Sequence, residues 1–124
     1  MLERAFCSAL AEGRRRLEAL VQLMGLTVVQ GNRMGHLLGP GISKGKALAT
    51  LKRHLDAEHV KVLALGDSPN DLPLLEVADI AVVVPGPDGP HPELSSGIAA
   101  GRFQLAAAPH ANGWDEAVRR ILRI

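Results

Sequence analysis

A four-residue apolar run that ends in a carboxylate-rich turn constrains this 124-residue chain more than any other feature: Val62-Leu63-Ala64-Leu65 leads directly into Gly66-Asp67-Ser68-Pro69-Asn70-Asp71. A short, unbroken apolar run leaves no side for water, so it reads as a strand buried on both faces, as strands of a parallel sheet are. Ile80 to Val84 repeats the pattern. Between the two, a helix from about Asp71 to Val77 presents Leu72 and Leu75, with Pro73 in its first turn, where no amide bond is lost. Ahead of the first strand, Ser43 reads as the N-cap of a helix from about Lys44 to Leu55, with Ala47, Leu48, Leu51 and Leu55 along one face. Residues 44–84 thus read helix, strand, helix, strand: half of a parallel α/β sheet.

The flanks differ in character. Residues 1–24 carry a helical apolar spacing through Leu2, Phe6, Leu10, Leu17, Leu20, Val21 and Met24, with a break expected at Gly13 and a stop at Gly25. Arg14-Arg15-Arg16 reads as a solvated helix face. The β-branched stretch Leu26 to Gln30, the turn dipeptide Gly31-Asn32 and the segment Met34 to Leu38 predict a β-hairpin. Gly39-Pro40-Gly41 interrupts the pattern, and a boundary is expected there. Charge changes with it: residues 1–40 hold five basic and three acidic groups, and residues 41–124 hold nine and ten. Beyond Val84, the proline- and glycine-rich residues 85–97 read as a loop, Gln104 to Ala108 as a short strand, Asn112-Gly113 as a turn and Trp114 to Ile124 as a final helix.

Composition narrows the function. A net charge of +1 leaves no basic footprint for nucleic acid, and two Phe, one Trp and no Tyr leave almost nothing on which bases could stack. The single cysteine, Cys7, excludes an intrachain disulfide and a cysteine-built zinc site, and suits a reducing, cytoplasmic compartment. No apolar run is long enough to span a membrane, and the first residues do not read as a signal peptide.

The chemistry concentrates at the carboxyl end of the first buried strand, where open parallel sheets bind ligands. Asp67 and Asp71, four residues apart, suit Mg²⁺, a hard cation that prefers carboxylate oxygens and keeps several waters. Asn70 and Ser68 offer uncharged groups to phosphate oxygens, although the same hexapeptide also reads as a helix-capping turn. Lys44 stands at a helix start, against the helix dipole, which hints at an anion to hold. A nucleotide-binding P-loop is not formed: Pro40 stands where its first glycine belongs, and Ala47 follows Lys46 in place of Ser or Thr.

Lysine, helix, strand and G-D-x-x-N-D, in that order, resemble the C-terminal half of a haloacid dehalogenase superfamily phosphatase. The resemblance implies a HAD-like, Rossmannoid parallel sheet. It makes Lys44 the catalytic lysine that steadies the phosphoryl group, Asp67 and Asp71 the Mg²⁺ ligands, and Asn70 and Ser68 phosphate contacts. Gly31-Asn32-Arg33-Met34-Gly35-His36-Leu37, Lys44-Gly45-Lys46-Ala47 and Gly113-Trp114-Asp115-Glu116-Ala117-Val118 extend the likeness to mannosyl-3-phosphoglycerate phosphatases. That likeness implies that residues 1–40 are the remnant of an α+β cap and residues 41–124 the C-terminal part of the core. It also implies that Arg33 and His36 meet a phosphorylated sugar substrate. Met34 departs from the Phe usual in that subfamily.

The family's chemistry begins from an aspartate nucleophile in a D-x-D motif, and no two aspartates in this chain stand two apart. Covalent phosphoryl transfer needs that carboxylate. The expectation is therefore a fragment with negligible hydrolysis of its own, the nucleophile coming from a separate N-terminal segment or chain. The competing expectation is a non-catalytic α/β module that binds a partner or phospho-ligand through the same loop. A receiver-like signalling domain is disfavoured, because it needs an acidic pair after its first strand.

Overall fold

The computed structural model describes the backbone of residues 2–30 and 35–124, and the side chains of residues 11–29 and 36–124. Helix α1 (Leu2–Leu23) runs through Gly13 without the expected break. Glu12 pairs with Arg15 and Arg16 across the glycine on an exposed face, and Arg14 pairs with Glu18 just beyond it. Such pairs contribute a few tenths of a kcal/mol each, which together offset much of the roughly 1 kcal/mol cost of a helical glycine. The helix stops at Gly25, whose φ of +76° an L side chain rarely adopts.

Strands β1 (Thr27–Gln30) and β2 (Gly35–Leu38) pair antiparallel, with Thr27 opposite Leu38 and Val29 opposite His36. The turn expected at Gly31-Asn32 lies outside the described residues. After the strap of residues 39–43, α2 (Lys44–His54) starts on Ser43, whose Oγ accepts the Lys46 N–H at 3.1 Å. Lys52, Arg53 and His54 fill its last turn, where the helix dipole favours positive charge.

Next come β3 (Leu63–Gly66), a single 3₁₀ turn over Pro69–Asp71, α3 (Leu72–Val77), β4 (Ile80–Val83), α4 (Pro92–Ala99), β5 (Gln104–Leu105) and α5 (His110–Leu122). The three strands form a parallel sheet in the order β3-β4-β5. Side chains alternate across it. Ala64, Ala81 and Val83 pack with Leu75 of α3, Leu94 of α4 and Phe103 on one face. Val82 and Val84 pack with Ala106 and Ala117 of α5 on the other, with Leu63, Leu65 and Ile121 at the margin. Both faces are covered, so the strands are apolar without alternation, as their sequences required.

Three further expectations are corrected. The proline-rich stretch is not all loop, because Pro92 occupies the first helical position of α4, where its missing N–H costs nothing, and His91 Nδ1 accepts the Glu93 N–H at 3.2 Å. Pairing in β5 is confined to Gln104 and Leu105; Ala106 N still donates to Val83 O at 2.9 Å. Asn112-Gly113 is no turn but lies within α5, which begins four residues earlier than expected. Its glycine serves a close approach: a Cβ at Gly113 would run into the carbonyl oxygen of Ala108. No helix among the described residues is long and apolar enough to cross a membrane.

The two helical glycines therefore make opposite predictions. Gly113→Ala forces α5 off the sheet and is expected to cost about 1–3 kcal/mol. Gly13→Ala has nothing within 4 Å of the new methyl and is expected to raise stability by up to about 1 kcal/mol. Thermal unfolding followed by circular dichroism checks both.

Candidate functional site

The turn after β3 is organised around one carboxylate. Asp71 is buried, and both its oxygens are engaged. Oδ1 accepts from Lys44 Nζ across 27 residues of sequence. Oδ2 accepts the backbone N–H groups of Asp67, at 3.0 Å, and Ser68, at 3.3 Å. Burial works to raise the Asp71 pKa. The Lys44 hydrogen bond, the Asp67 N–H, the Lys44 charge and the Ser68 N–H outweigh it, so the carboxyl sits below its ordinary value and stays ionised at neutral pH.

Two glycines let these groups meet. A Cβ on Gly66 would lie 2.5 Å from that of Asp71, so only glycine lets the strand end pass so close to the carboxylate. A Cβ on Gly45 would lie 2.5 Å from the Pro73 carbonyl oxygen, so glycine also lets the start of α2 press on α3 and bring Lys44 over the turn. Neither glycine figured among the sequence-derived site residues. Their positions directly after the strand and directly beside the lysine were the available signal.

The sequence-derived candidates then separate. Lys44, Asp67 and Asp71 line one cavity of about 410 Å³, together with His110 and Trp114 from the start of α5. In the sequence Trp114 stands at a helix start and within a motif, and His110 carries no signal; both reach the site through folding of a distant helix. Asp67 is exposed at the cavity, its backbone N–H holding Asp71. Ser68 is buried, and its hydroxyl bonds Asn70 Oδ1 and approaches Asp71 within the turn. Lys44 also lines a second cavity, of about 660 Å³, with Asn70 and His36. Arg33 lies outside the described residues.

Among the described residues no three His, Cys, Asp or Glu side chains cluster as a metal cage. The donor set fits Mg²⁺ in its looser form, held by one or two carboxylates with water and substrate phosphate completing the shell. Asp67 is the carboxylate exposed at the cavity, whereas both oxygens of Asp71 are engaged within the protein.

Because the Asp71 pKa is depressed on folding, its contribution to stability is present above the ordinary carboxylate pKa and lost as pH falls through the folded value. Asp71→Asn sets an amide NH₂ against Lys44 or the loop N–H groups, and is expected to cost about 1–3 kcal/mol at neutral pH. The gap between wild type and variant should close as pH falls below about 4, which denaturant melts at stepped pH values would record.

A sequence profile of haloacid dehalogenase-like hydrolases matches residues 9–85, more than half of the chain. A glucosyl-3-phosphoglycerate/mannosyl-3-phosphoglycerate phosphatase of Persephonella marina is 31% identical over 110 residues, covering 86% of this chain and 39% of that protein. Its counterpart in Methanococcoides burtonii is 32% identical over 83% of this chain and 37% of that protein. A phosphoglycolate phosphatase of Methanothermobacter thermautotrophicus is 34% identical over 70% and 36%. The chain thus spans under two fifths of the length of each of these relatives. A crystal structure of a Thermoplasma acidophilum protein superposes with a TM-score of 0.71 over 91% of this chain and 47% of that one, at 17% identity, and shares the fold. With a lysine brought onto an aspartate-bearing turn at the carboxyl end of a parallel strand, and a family profile that runs across all of these elements, the chain belongs to the haloacid dehalogenase-like hydrolases.

Proposed function

We propose that the chain is the lysine-bearing part of a Mg²⁺-dependent phosphatase that hydrolyses a sugar phosphate ester, mannosyl-3-phosphoglycerate or glucosyl-3-phosphoglycerate, and that its aspartate nucleophile comes from outside these 124 residues. The observation that carries the reading is Lys44, held on Asp71 at the mouth of a cavity that Asp67 also lines. Such a lysine, positioned in advance, balances the charge of a phosphoryl group without reorganising. Asn70 adds a polar contact, and Ser68 holds the turn that presents it. Arg33 and His36 belong to the substrate side. Asp67, with Asp71 through water, would hold Mg²⁺, which when bound offsets phosphate charge. Residues 1–40 are read as the end of an α+β cap and residues 41–124 as the end of the core, in a cytoplasmic enzyme.

The sheet supports an incomplete core. Val62 O accepts from Ile80 N at 3.1 Å and Gly66 O from Val84 N at 2.8 Å, so the main-chain groups of Leu63 and Leu65 alternate toward the opposite edge. Among the described residues no strand lies there. Leu51 of α2 and Leu55 at its C-terminal end are 53% and 67% exposed, apolar side chains without a sheet beneath them. A further strand on that edge, ending beside Lys44, would satisfy both and carry the missing carboxylate to the cavity.

Two measurements test the reading. The chain alone, given Mg²⁺ and mannosyl-3-phosphoglycerate, is expected to release no phosphate above background, and a segment supplying a D-x-D strand is expected to restore turnover. Turnover by the chain alone at an ordinary enzymatic rate, about 1–10³ s⁻¹, refutes the need for an outside nucleophile. Failure of every such segment favours the alternative, a non-catalytic module that binds a partner or phospho-ligand. Asp67→Asn leaves the backbone N–H that bonds Asp71, so the fold should persist while Mg²⁺ affinity of the restored enzyme drops by about tenfold or more; titration calorimetry measures it.

A further inference from the structure

His110 stands in a backbone conformation that its place in the fold does not explain. Among the described residues, three other than glycine have a positive φ: Asp56 at +53°, His110 at +53° and Arg123 at +57°. Asp56 and Arg123 follow the last turns of α2 and α5, where a left-handed residue closes a helix routinely. His110 instead opens α5, where a positive φ closes nothing. For a residue with a Cβ the conformation is unfavourable, and it persists only where the surroundings impose it. Here they do. The His110 N–H donates to Pro85 O at 3.1 Å, just beyond β4, and the close approach of Gly113 to the Ala108 carbonyl seats the first turn of α5 on the sheet.

The strain secures the position of a side chain. His110 and Trp114, one turn apart on a helix face, line the cavity of about 410 Å³ with Lys44, Asp67 and Asp71. Lys44 reaches that cavity from α2, which packs on α3, and α3 covers the opposite face of the sheet from α5. The ammonium and the imidazole therefore border the cavity from two sides. A phosphoryl group presents three terminal oxygens, and the Lys44 ammonium, already shared with Asp71, does not surround them. Imidazole carries an N–H in either protonation state, so it donates to an anionic oxygen whatever its charge.

We propose that His110 is a phosphate-contacting residue, whose imidazole N–H holds a phosphoryl oxygen other than the one that meets Lys44, and that the strained backbone is retained because it aims the ring there. The proposal rests on the reading of Lys44 as the phosphate-holding residue. It adds a second donor, from a helix near the other end of the chain.

Replacement of His110 by glycine tests it, because strain and donor are removed together. His110→Gly should melt no lower than wild type, while its affinity for inorganic phosphate, with Mg²⁺ present, falls about five- to tenfold. A merely structural residue would not lose affinity while stability is kept. His110→Gln, which returns a side-chain N–H of similar reach, should bind phosphate within about twofold of wild type. Trp114 is the only tryptophan of a chain without tyrosine and lines the same cavity, so its emission reports occupancy. Amide shifts of Gly66 to Asp71 in the ¹⁵N-labelled chain report phosphate at the turn independently. Unchanged phosphate affinity in His110→Gly, or a loss in His110→Gln as large as in His110→Gly, overturns the proposal and leaves the phosphate reading standing. A His110→Gly chain that melts well below wild type overturns the claim that the backbone is strained to aim the ring. No phosphate shift at Gly66 to Asp71 in the wild type overturns the phosphate reading itself.

Discussion

The Asp71 carboxylate ties together parts of the chain that nothing else brings to one place. One oxygen holds the lysine that opens α2, and the other collects two backbone N–H groups from the end of β3. A buried carboxylate is costly unless its lone pairs are filled, and here donors from two separate elements fill them. Satisfying the buried charge therefore fixes the lysine, the turn and the exposed Asp67 relative to each other. What looks like a cluster of interchangeable acidic residues is divided by this bond into one that organises and one that faces the cavity.

That arrangement depends on missing side chains as much as on present ones. Gly66 and Gly45 each stand where a Cβ would meet a neighbour at 2.5 Å. Gly97 and Gly113 do the same for the helices behind the sheet, against the Phe103 ring and the Ala108 carbonyl. Close packing of a small parallel sheet leaves little volume between strand ends and helix starts, and glycine is the residue that fits there. The site is thus built on the same close approaches that seat α2 and α5.

Much of the fold was legible because burial is written directly into parallel strands. Val62 to Leu65 and Ile80 to Val84 have no polar face to hide, and the helix ahead of them carries a serine cap and apolar spacing. The helix in the proline-rich stretch was missed because proline at a helix start looks, in sequence, like proline in a loop; only the His91 cap and the buried Leu94 distinguish them. The start of α5 was misplaced because Asn-Gly is a strong turn signal, and the contact that overrides it comes from Ala108, whose carbonyl position no local rule supplies. Gly13 misled in the opposite sense, since the charge pairs across and beside it are weak singly and effective together.

By itself the sequence determined the α/β class and the placement of the carboxylate turn at a strand end, because residue type and order carry those properties; only a family resemblance joined the distant lysine to that turn. The tertiary structure decided how the groups are used. Asp67 faces the cavity while Asp71 is sequestered, Ser68 is turned into the loop, and His110 and Trp114 arrive from a helix that begins 39 residues after the turn. It also decided that Lys44 stands between two cavities. The physical reason is that burial and hydrogen-bond partnership belong to contacts between elements, and these exist only once the chain has folded.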